Sequence, residues 1–311
     1  MKNNGYEYRE QVDAWGAGFF LSAYLAKKYT HSPQTVWQDR ITRGEISCDG
    51  RPALCDTRLR PGQRILWRRP AWDEPDAPLT YSLIHEDDDL LAVAKPSGLP
   101  TLPSGGFLDH TLLALVRKDR PEATPVHRLG RGTSGLVLFA RNKRVRSRLA
   151  EAFRNNEVVK IYRALATGVP AAREFSITAP IGPVAHPKLG SLHSVCATGK
   201  HARSLVRLVE AGENISVLEV RIETGRPHQI RIHLAFAGHP LAGDPLYAAG
   251  ALIRDPDALP GDCGYMLHAE RLNFRHPATG LPLALWSSPP PGLFSPACRR
   301  TILTKGGSDS G

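Results

Sequence analysis

The residues best equipped for chemistry fall in two short stretches. The first is His127-Arg128-Leu129-Gly130-Arg131-Gly132-Thr133-Ser134-Gly135. Gly130, Gly132 and Gly135 give the backbone freedom and allow a ligand to come close. His127, Arg128 and Arg131 supply donors and charge. A basic, glycine-rich loop suits a phosphate, yet the Lys-Ser/Thr ending of a P-loop is missing. Taken alone, the stretch is also an adequate tight turn before a strand. The second stretch is Thr224-Gly225-Arg226-Pro227-His228-Gln229-Ile230-Arg231-Ile232-His233. Arg226, His228, Gln229, Arg231 and His233 crowd polar groups into two turns of an otherwise apolar segment. A cation such as Arg231 is therefore expected to face a cleft and to need an anionic partner from protein or ligand. Ser134 has His127 close in sequence, but no nucleophile elbow surrounds it.

These stretches need elements to hold them. Leu136 to Ala140 reads as a buried strand directly after the first, and Lys143 to Arg154 as a helix. Thr224 as a cap, Pro227 in the first turn, and Gly238 with Pro240 as a stop favour a helix over the second stretch, although its apolar residues also alternate. Asp89 to Ala94, Val159 to Thr167, Ala202 to Leu208 and Ile215 to Ile222 read as strands, and Thr111 to Lys118 as a helix. Upstream, Phe19 to Tyr29 and a segment opened by Pro33 read as helices. A hairpin follows with Asp49-Gly50 at its turn, then a strand entered through Pro61-Gly62. Residues 71–80 are a Pro- and acid-rich linker. The organisation is thus an N-terminal extension (1–16), a small module (17–70), the linker, a large domain (81–295) and a tail (296–311) whose end is expected to be disordered.

The chain has 311 residues, with Lys+Arg 40 against Asp+Glu 30 and a net charge of +10. Such an excess favours a polyanionic partner, of which nucleic acid is the commonest. No apolar run approaches the ~20 residues of a membrane-spanning helix, and the first residues have no signal-peptide core. The five cysteines are scattered without a Cys-x-x-Cys pair. They indicate neither a disulfide framework nor a zinc site, and the expectation is a cytoplasmic protein with free thiols. Arg141, Lys143, Arg144, Arg146 and Arg148 form a dense basic run expected to track a phosphate backbone beside the first stretch.

Six ordered motifs resemble the RluA family of pseudouridine synthases. Asp89 to Leu99 looks like the family's opening strand and Lys-Pro-x-Gly turn, and His127 to Gly135 like its signature loop. Lys160-Ile161-Tyr162 is similar to its Lys-x-Tyr strand. Thr224 to His233, Gly238 to Tyr247 and Leu267 to Leu272 follow in the family's order. The helix pair, hairpin and Pro-Gly-Gln strand of residues 17–70 resemble the S4 RNA-binding module. The resemblance implies an α+β fold: a mixed, largely antiparallel sheet with flanking helices and a central cleft, plus the small S4-like domain.

It also implies an isomerase that converts uridine to pseudouridine in structured ribosomal or transfer RNA, as a monomer with no metal or cofactor. The target base must leave its stack. Tyr162 would stack on that base, and Arg231 would pair with the family's catalytic aspartate and hold it ionised. His127, Arg128, Arg131, Arg226, His228, Gln229 and His233 would bind RNA around the cleft. Lys27 and Arg43 (with Lys28 and Arg40) on the small module, and Lys143 and Arg144 beyond the loop, would face phosphates. The aspartate's position is taken by Gly130, which can be neither nucleophile nor base. Gly132 likewise replaces a residue the family often makes acidic. Three readings follow: an active synthase whose acid comes from elsewhere, with Asp109, Asp119 and Glu122 as candidates by position only; a non-catalytic RNA-binding relative acting as a chaperone or assembly factor; or some other nucleoside chemistry. Without the aspartate, Arg231 is expected to lack its internal counterion.

Overall fold

The computed structural model describes residues 2–294, so the tail expected over 296–311 lies outside the described residues. The chain divides into two compact units, residues 1–74 and 75–311, and the boundary falls inside the expected linker.

In the first unit, strand β1 (Tyr6–Gln11), helices α1 (Leu21–Lys28) and α2 (Gln34–Thr42), and strands β2 (Ile46–Cys48), β3 (Arg51–Pro52) and β4 (Arg64–Arg69) form a sheet in the order β1-β4-β2-β3 with a helix pair. Leu21, Tyr24 and Leu25 of α1, Trp37 and Ile41 of α2, and Ile46, Ile65 and Trp67 of the sheet make one core. The β2–β3 turn is the expected one: Asp49 and Gly50 both adopt positive φ, as a two-residue hairpin requires. Residues 1–16 are not an extension. Their strand β1 pairs antiparallel with β4 from Tyr6↔Arg69 to Gln11↔Arg64, and Val12 is buried. Its sequence is too polar to show an apolar alternation, because it is an edge strand with mostly exposed side chains. Lys27 and Arg43 are exposed, Arg43 beside Asp39 one helical turn away. Arg40 and Lys28 are engaged within the unit. The Arg40 guanidinium packs over the rings of Trp37 and Trp67 at 4.4 and 4.6 Å, and Lys28 pairs with Glu10.

The second unit is built on a ten-stranded sheet. In chain order it contains β5 (Ser82–Glu86), β6 (Leu90–Lys95), α3 (Leu112–Asp119), β7 (Thr124–Pro125), β8 (Thr133–Ala140), α4 (Lys143–Arg154), β9 (Val159–Thr167), β10 (Glu174–Thr178), β11 (Ile181–His186), β12 (Gly190–Val195), β13 (Arg203–Ala211), β14 (Ile215–Ile222), α5 (Gln229–Phe236), β15 (Tyr247–Ala248), β16 (Leu252–Ile253), β17 (Leu267–Arg275) and β18 (Pro282–Trp286). The sheet runs β10-β13-β14-β9-β17-β8-β6-β5, with β18 on β17 and β7 on β8; β11–β12 and β15–β16 are separate hairpins. All its pairings are antiparallel except β17 with β8.

Three apolar clusters cover the sheet. Val145 and Leu149 of α4 pack with Leu136, Leu138 and Leu272. Leu112, Leu115 and Val116 of α3 pack with Val137, Phe139 and Ala269. Ile230 and Leu234 of α5 pack with Ala164, Leu218, Val220 and Tyr265. Tyr162 touches both of the last two clusters. The parallel contact depends on a glycine. Gly135 has φ +107°, and a Cβ there would lie 2.2 Å from the carbonyl oxygen of Ala269, so only glycine permits this approach.

Candidate active site

The floor of the site is a row across three strands. Tyr162 of β9 is in register with Ala269 of β17, and Ala269 with Gly135 of β8. Tyr162 is half-buried, and burial pushes its phenol up to about 12, so it is a neutral ring at physiological pH. That suits stacking on a base.

The glycine-rich loop feeds into β8, and its backbone is pinned from one side. Thr101 Oγ1 donates to Leu129 O at 3.0 Å, and Ser97 Oγ to Gly132 O at 2.8 Å. The Gly98 amide donates to Arg131 O at 2.8 Å. Lys95, almost fully buried, donates to the carbonyls of Pro96, Leu99 and Arg131 at 2.9, 2.7 and 3.2 Å. Burial lowers its pKa to about 7. Arg131 turns away from the floor, donating from Nε to Gly261 O at 2.8 Å and lying over the Phe107 ring. Gly130 is left exposed between two anchored neighbours. Its φ is not in the left-handed region, and a Cβ there would meet only Tyr265 Oη at 3.4 Å and Thr133 Oγ1 at 3.7 Å.

Arg231 does not lack a counterion, contrary to the expectation from Gly130. Its Nε and Nη2 donate to the two carboxylate oxygens of Asp244 at 2.7 and 2.8 Å, and Nη1 donates to Pro260 O at 2.9 Å. Both side chains are buried. Burial opposes the guanidinium's charge, but the hydrogen bonds to Asp244 hold its pKa above the ordinary value. The guanidinium lies over two tyrosine rings, Tyr265 at 4.3 Å and Tyr247 at 5.1 Å. Asp244 is saturated too, since Oδ1 also accepts the amides of Leu246 and Tyr247 at 2.9 and 3.1 Å. Neither partner is available to hold an RNA phosphate or to attack a sugar.

Several polar residues of the second stretch brace the fold. Gln229 Nε2 donates to Arg203 O and Ser204 Oγ, while its Oε1 accepts from Thr224 Oγ1 and the Arg226 amide. Thr224 is thus not the helix cap; the N-cap is His228, in the left-handed conformation. His233 is fully buried between Ser204 Oγ at 2.9 Å and Ala179 O at 3.0 Å. His127 accepts the Leu138 amide at Nε2 at 3.1 Å and stacks on Phe153 at 4.9 Å. Burial, with a lesser push from Lys160, lowers its pKa to about 4. Gln229, His233 and His127 are therefore structural rather than RNA contacts. Ser134 pairs with His268 Nδ1 at 2.9 Å rather than with His127; His268 Nε2 lies 3.0 Å from Ser287 O, a bond that needs its N–H.

The groups left for a ligand are Arg128, His228 and Arg226. Arg128 is exposed, and its charge reaches His228. Tyr247 Oη donates to His193 O at 2.8 Å, so it accepts from His228 Nδ1 at 3.1 Å. Burial and then Arg231 press His228 down to about 3, which leaves a neutral ring with Nε2 as an acceptor. Arg226 uses Nε on His201 O. The basic run of α4 lies at the His127 end of the stretch, where His127 stacks on Phe153 of α4, while the glycines feed the opposite end of β8, roughly 25 Å away along the strand. Arg141 is held by Glu122 and the Asp87 carbonyl, while Lys143 and Arg144 are exposed. The candidate acids fare no better, with Glu122 on Arg141 and Asp119 largely exposed beside Arg120.

Residues 89–236 match the model of the RNA pseudouridylate synthase family. An RNA pseudouridine synthase of Synechocystis sp. is 40% identical over 283 residues, covering 90% of this chain and 97% of the relative. This chain belongs to the RNA pseudouridine synthase family. RNA pseudouridine synthase 5 of Arabidopsis thaliana is 36% identical, with 87% of this chain and 88% of the relative covered. Ribosomal large subunit pseudouridine synthase D of Vibrio cholerae is 34% identical, with 84% of each chain covered. The solved structure of human RNA pseudouridylate synthase domain containing 1 shares the fold: TM-score 0.56 at 23% identity, over 77% of this chain and all of that one. The synthase is thus an isomerase acting on RNA.

Sequence reasoning missed Asp244 as the partner of Arg231, although Asp244 lies within the Gly238 to Tyr247 motif. A lone acid in a turn a dozen residues after a helical arginine was the available signal. Nothing in the sequence marked Tyr265.

Proposed function

We propose that the synthase isomerises a uridine of structured ribosomal RNA, with the everted base received over the Tyr162–Ala269–Gly135 row. The single observation that carries this is that Tyr265 joins the three parts: it packs in one cluster with the neutral ring of Tyr162, the Arg231 guanidinium lies over it, and its Oη faces the exposed Gly130 of the pinned loop. Ribosomal RNA is the first candidate because a relative named as a ribosomal large subunit synthase covers most of this chain. Arg128, Arg226 and His228 at the cleft, and Lys143 and Arg144 on α4, meet the RNA. The first unit works as an S4-like module, with Lys27 and Arg43 toward phosphates. The reaction leaves the atoms and oxidation state of the nucleoside unchanged, so it calls for no cofactor, and a monomer working in the cytoplasm suffices.

The test is to map pseudouridine in total RNA with and without the gene. Loss of one specific site on deletion, restored by the wild-type chain, is the expected result. Unchanged pseudouridine together with tight RNA binding would replace this reading with that of a non-catalytic RNA chaperone.

A further inference from the structure

We propose that the phenol of Tyr265 does the work that the family's aspartate would do, reaching the substrate through the space left by Gly130. The inference rests on the function proposed above. It starts from two glycines and one ring. A Cβ at Gly130 would point at Tyr265 Oη, 3.4 Å away. A Cβ at Gly132 would lie 2.9, 3.0 and 3.1 Å from Cζ, Cε1 and Oη of the same residue, closer than the ring tolerates. Neither glycine has the left-handed φ that would demand glycine for backbone reasons. The two loop positions that depart from the family's pattern both make way for one phenol.

The ring is held. It belongs to the apolar cluster of α5, which Tyr162 also joins, and the Arg231 guanidinium lies over it, 4.3 Å from the ring centroid. Asp244 and Pro260 fix that guanidinium in turn. The ring is buried, and Oη is 3.4 Å from Thr133 Oγ1, a weak contact. The rival groups are committed: Asp244 is saturated, and Asp262 sits 3.8 Å from Arg131.

Tyrosine is a known nucleophile at an anomeric carbon. Tyr265 would first give its proton to solvent; the phenolate Oη would then bond to C1′ as the N1–C1′ bond breaks and its electron pair leaves with the uracil, which takes a proton from solvent at N1. After the base turns, C5 would bond to C1′ as the C1′–Oη bond breaks and its electrons return to oxygen. The phenolate then takes the C5 proton. The phenol is restored, and the net change is one proton moved from C5 to N1. The charged and titratable groups facing the phenol are Arg231, Asp244, Tyr247 and Cys263, with the Thr133 hydroxyl beside them. Burial raises its pKa, and Arg231 opposes the rise. The phenol is therefore protonated at neutral pH, and its activity should climb on the alkaline side.

The experiment uses the full chain and total RNA from the deletion strain labelled with [5-³H]uridine, reading tritium released to water. Tyr265→Phe, which keeps the ring, should lose about 10²-fold or more in rate. The double variant Tyr265→Phe with Gly130→Asp should regain release, with a rate that no longer climbs above neutral pH, because a carboxylate is already ionised there. Tyr265→Phe within threefold of wild type overturns the proposal. So does a wild-type rate that is flat from pH 6 to 9, a measurement that does not depend on any variant folding. If wild type releases no tritium, the functional reading itself has failed. That outcome is distinct from a wild type that works with Tyr265→Phe intact.

Discussion

Replacing Asp244 should unlock Arg231 at a cost large enough to measure. The carboxylate accepts four hydrogen bonds, two from the guanidinium at 2.7 and 2.8 Å and two from the amides of Leu246 and Tyr247 at 2.9 and 3.1 Å. Both side chains of the pair are buried. Breaking such a pair from one side leaves an uncompensated charge and costs about 3–5 kcal/mol. Asp244→Asn keeps an oxygen for the amides and belongs near the lower figure; Asp244→Ala abandons them as well and belongs near the upper. The assay must watch the right unit. Trp15, Trp37, Trp67 and Trp72 lie in the first unit and only Trp286 in the second, so fluorescence would report mainly the wrong one. Hydrogen exchange over residues 229–247 during a urea titration follows the pair directly. Arg231→Met combined with Asp244→Leu should recover most of the loss, since a packed apolar pair can replace a buried ionic one. An Asp244→Asn loss below about 1 kcal/mol, or a double variant no better than the single ones, would refute the view that these two groups satisfy each other.

Three further outcomes follow from the same geometry. Gly135→Ala should destabilise the second unit by more than about 3 kcal/mol, by chemical denaturation, because its Cβ would meet the Ala269 backbone at 2.2 Å at φ +107°; a loss under about 1 kcal/mol contradicts the close approach. His127 is held neutral, its pKa lowered from 6.5 to about 4. The unfolded chain therefore binds more protons between those values, and the stability it contributes is full above pH 6.5 and lost as pH falls toward 4. His127→Gln should flatten that part of the pH–stability curve. Lys95→Met should leave the carbonyls of Leu99 and Arg131 without their ammonium donor, raise hydrogen exchange across residues 128–133 and lower turnover more than RNA affinity; unchanged exchange there would deny Lys95 its role in pinning the loop.

The elements that locate the site were legible because their signals are local. Lys143–Arg154 and Val159–Thr167 match their sequence-based bounds, and both carry strong periodicity with Asn142 or a turn at the boundary. Strand β8 starts three residues earlier than the apolar run suggests, because Thr133, Ser134 and Gly135 join the sheet through the parallel pairing with β17, which no local pattern reveals. The hairpin β11–β12 went unread, since a third of its residues are exposed and its two strands pair with each other. The roles of polar residues were the least legible. Gln229, His233 and Arg231 are the residue types that bind RNA, and here all three are spent inside the protein, a distinction only the partners' positions can make.

That distinction reshapes what Gly130 means. If Arg231 had been waiting for an aspartate, its loss would have left a buried, unpaired cation, and the segment would be expected to fray. Instead Asp244 closes the pair, so the guanidinium's position is independent of the loop. Residue 130 is then free to change without unbuilding the cleft, and Tyr265, under the same guanidinium, has its Oη 3.4 Å from where a residue-130 Cβ would lie. The loop remains pinned by Lys95, Ser97, Gly98 and Thr101 whatever occupies 130. A site in which scaffold and reacting group are held by separate partners can exchange one acid for another while keeping its fold, and its chemistry must be sought among the groups that face the exposed glycine.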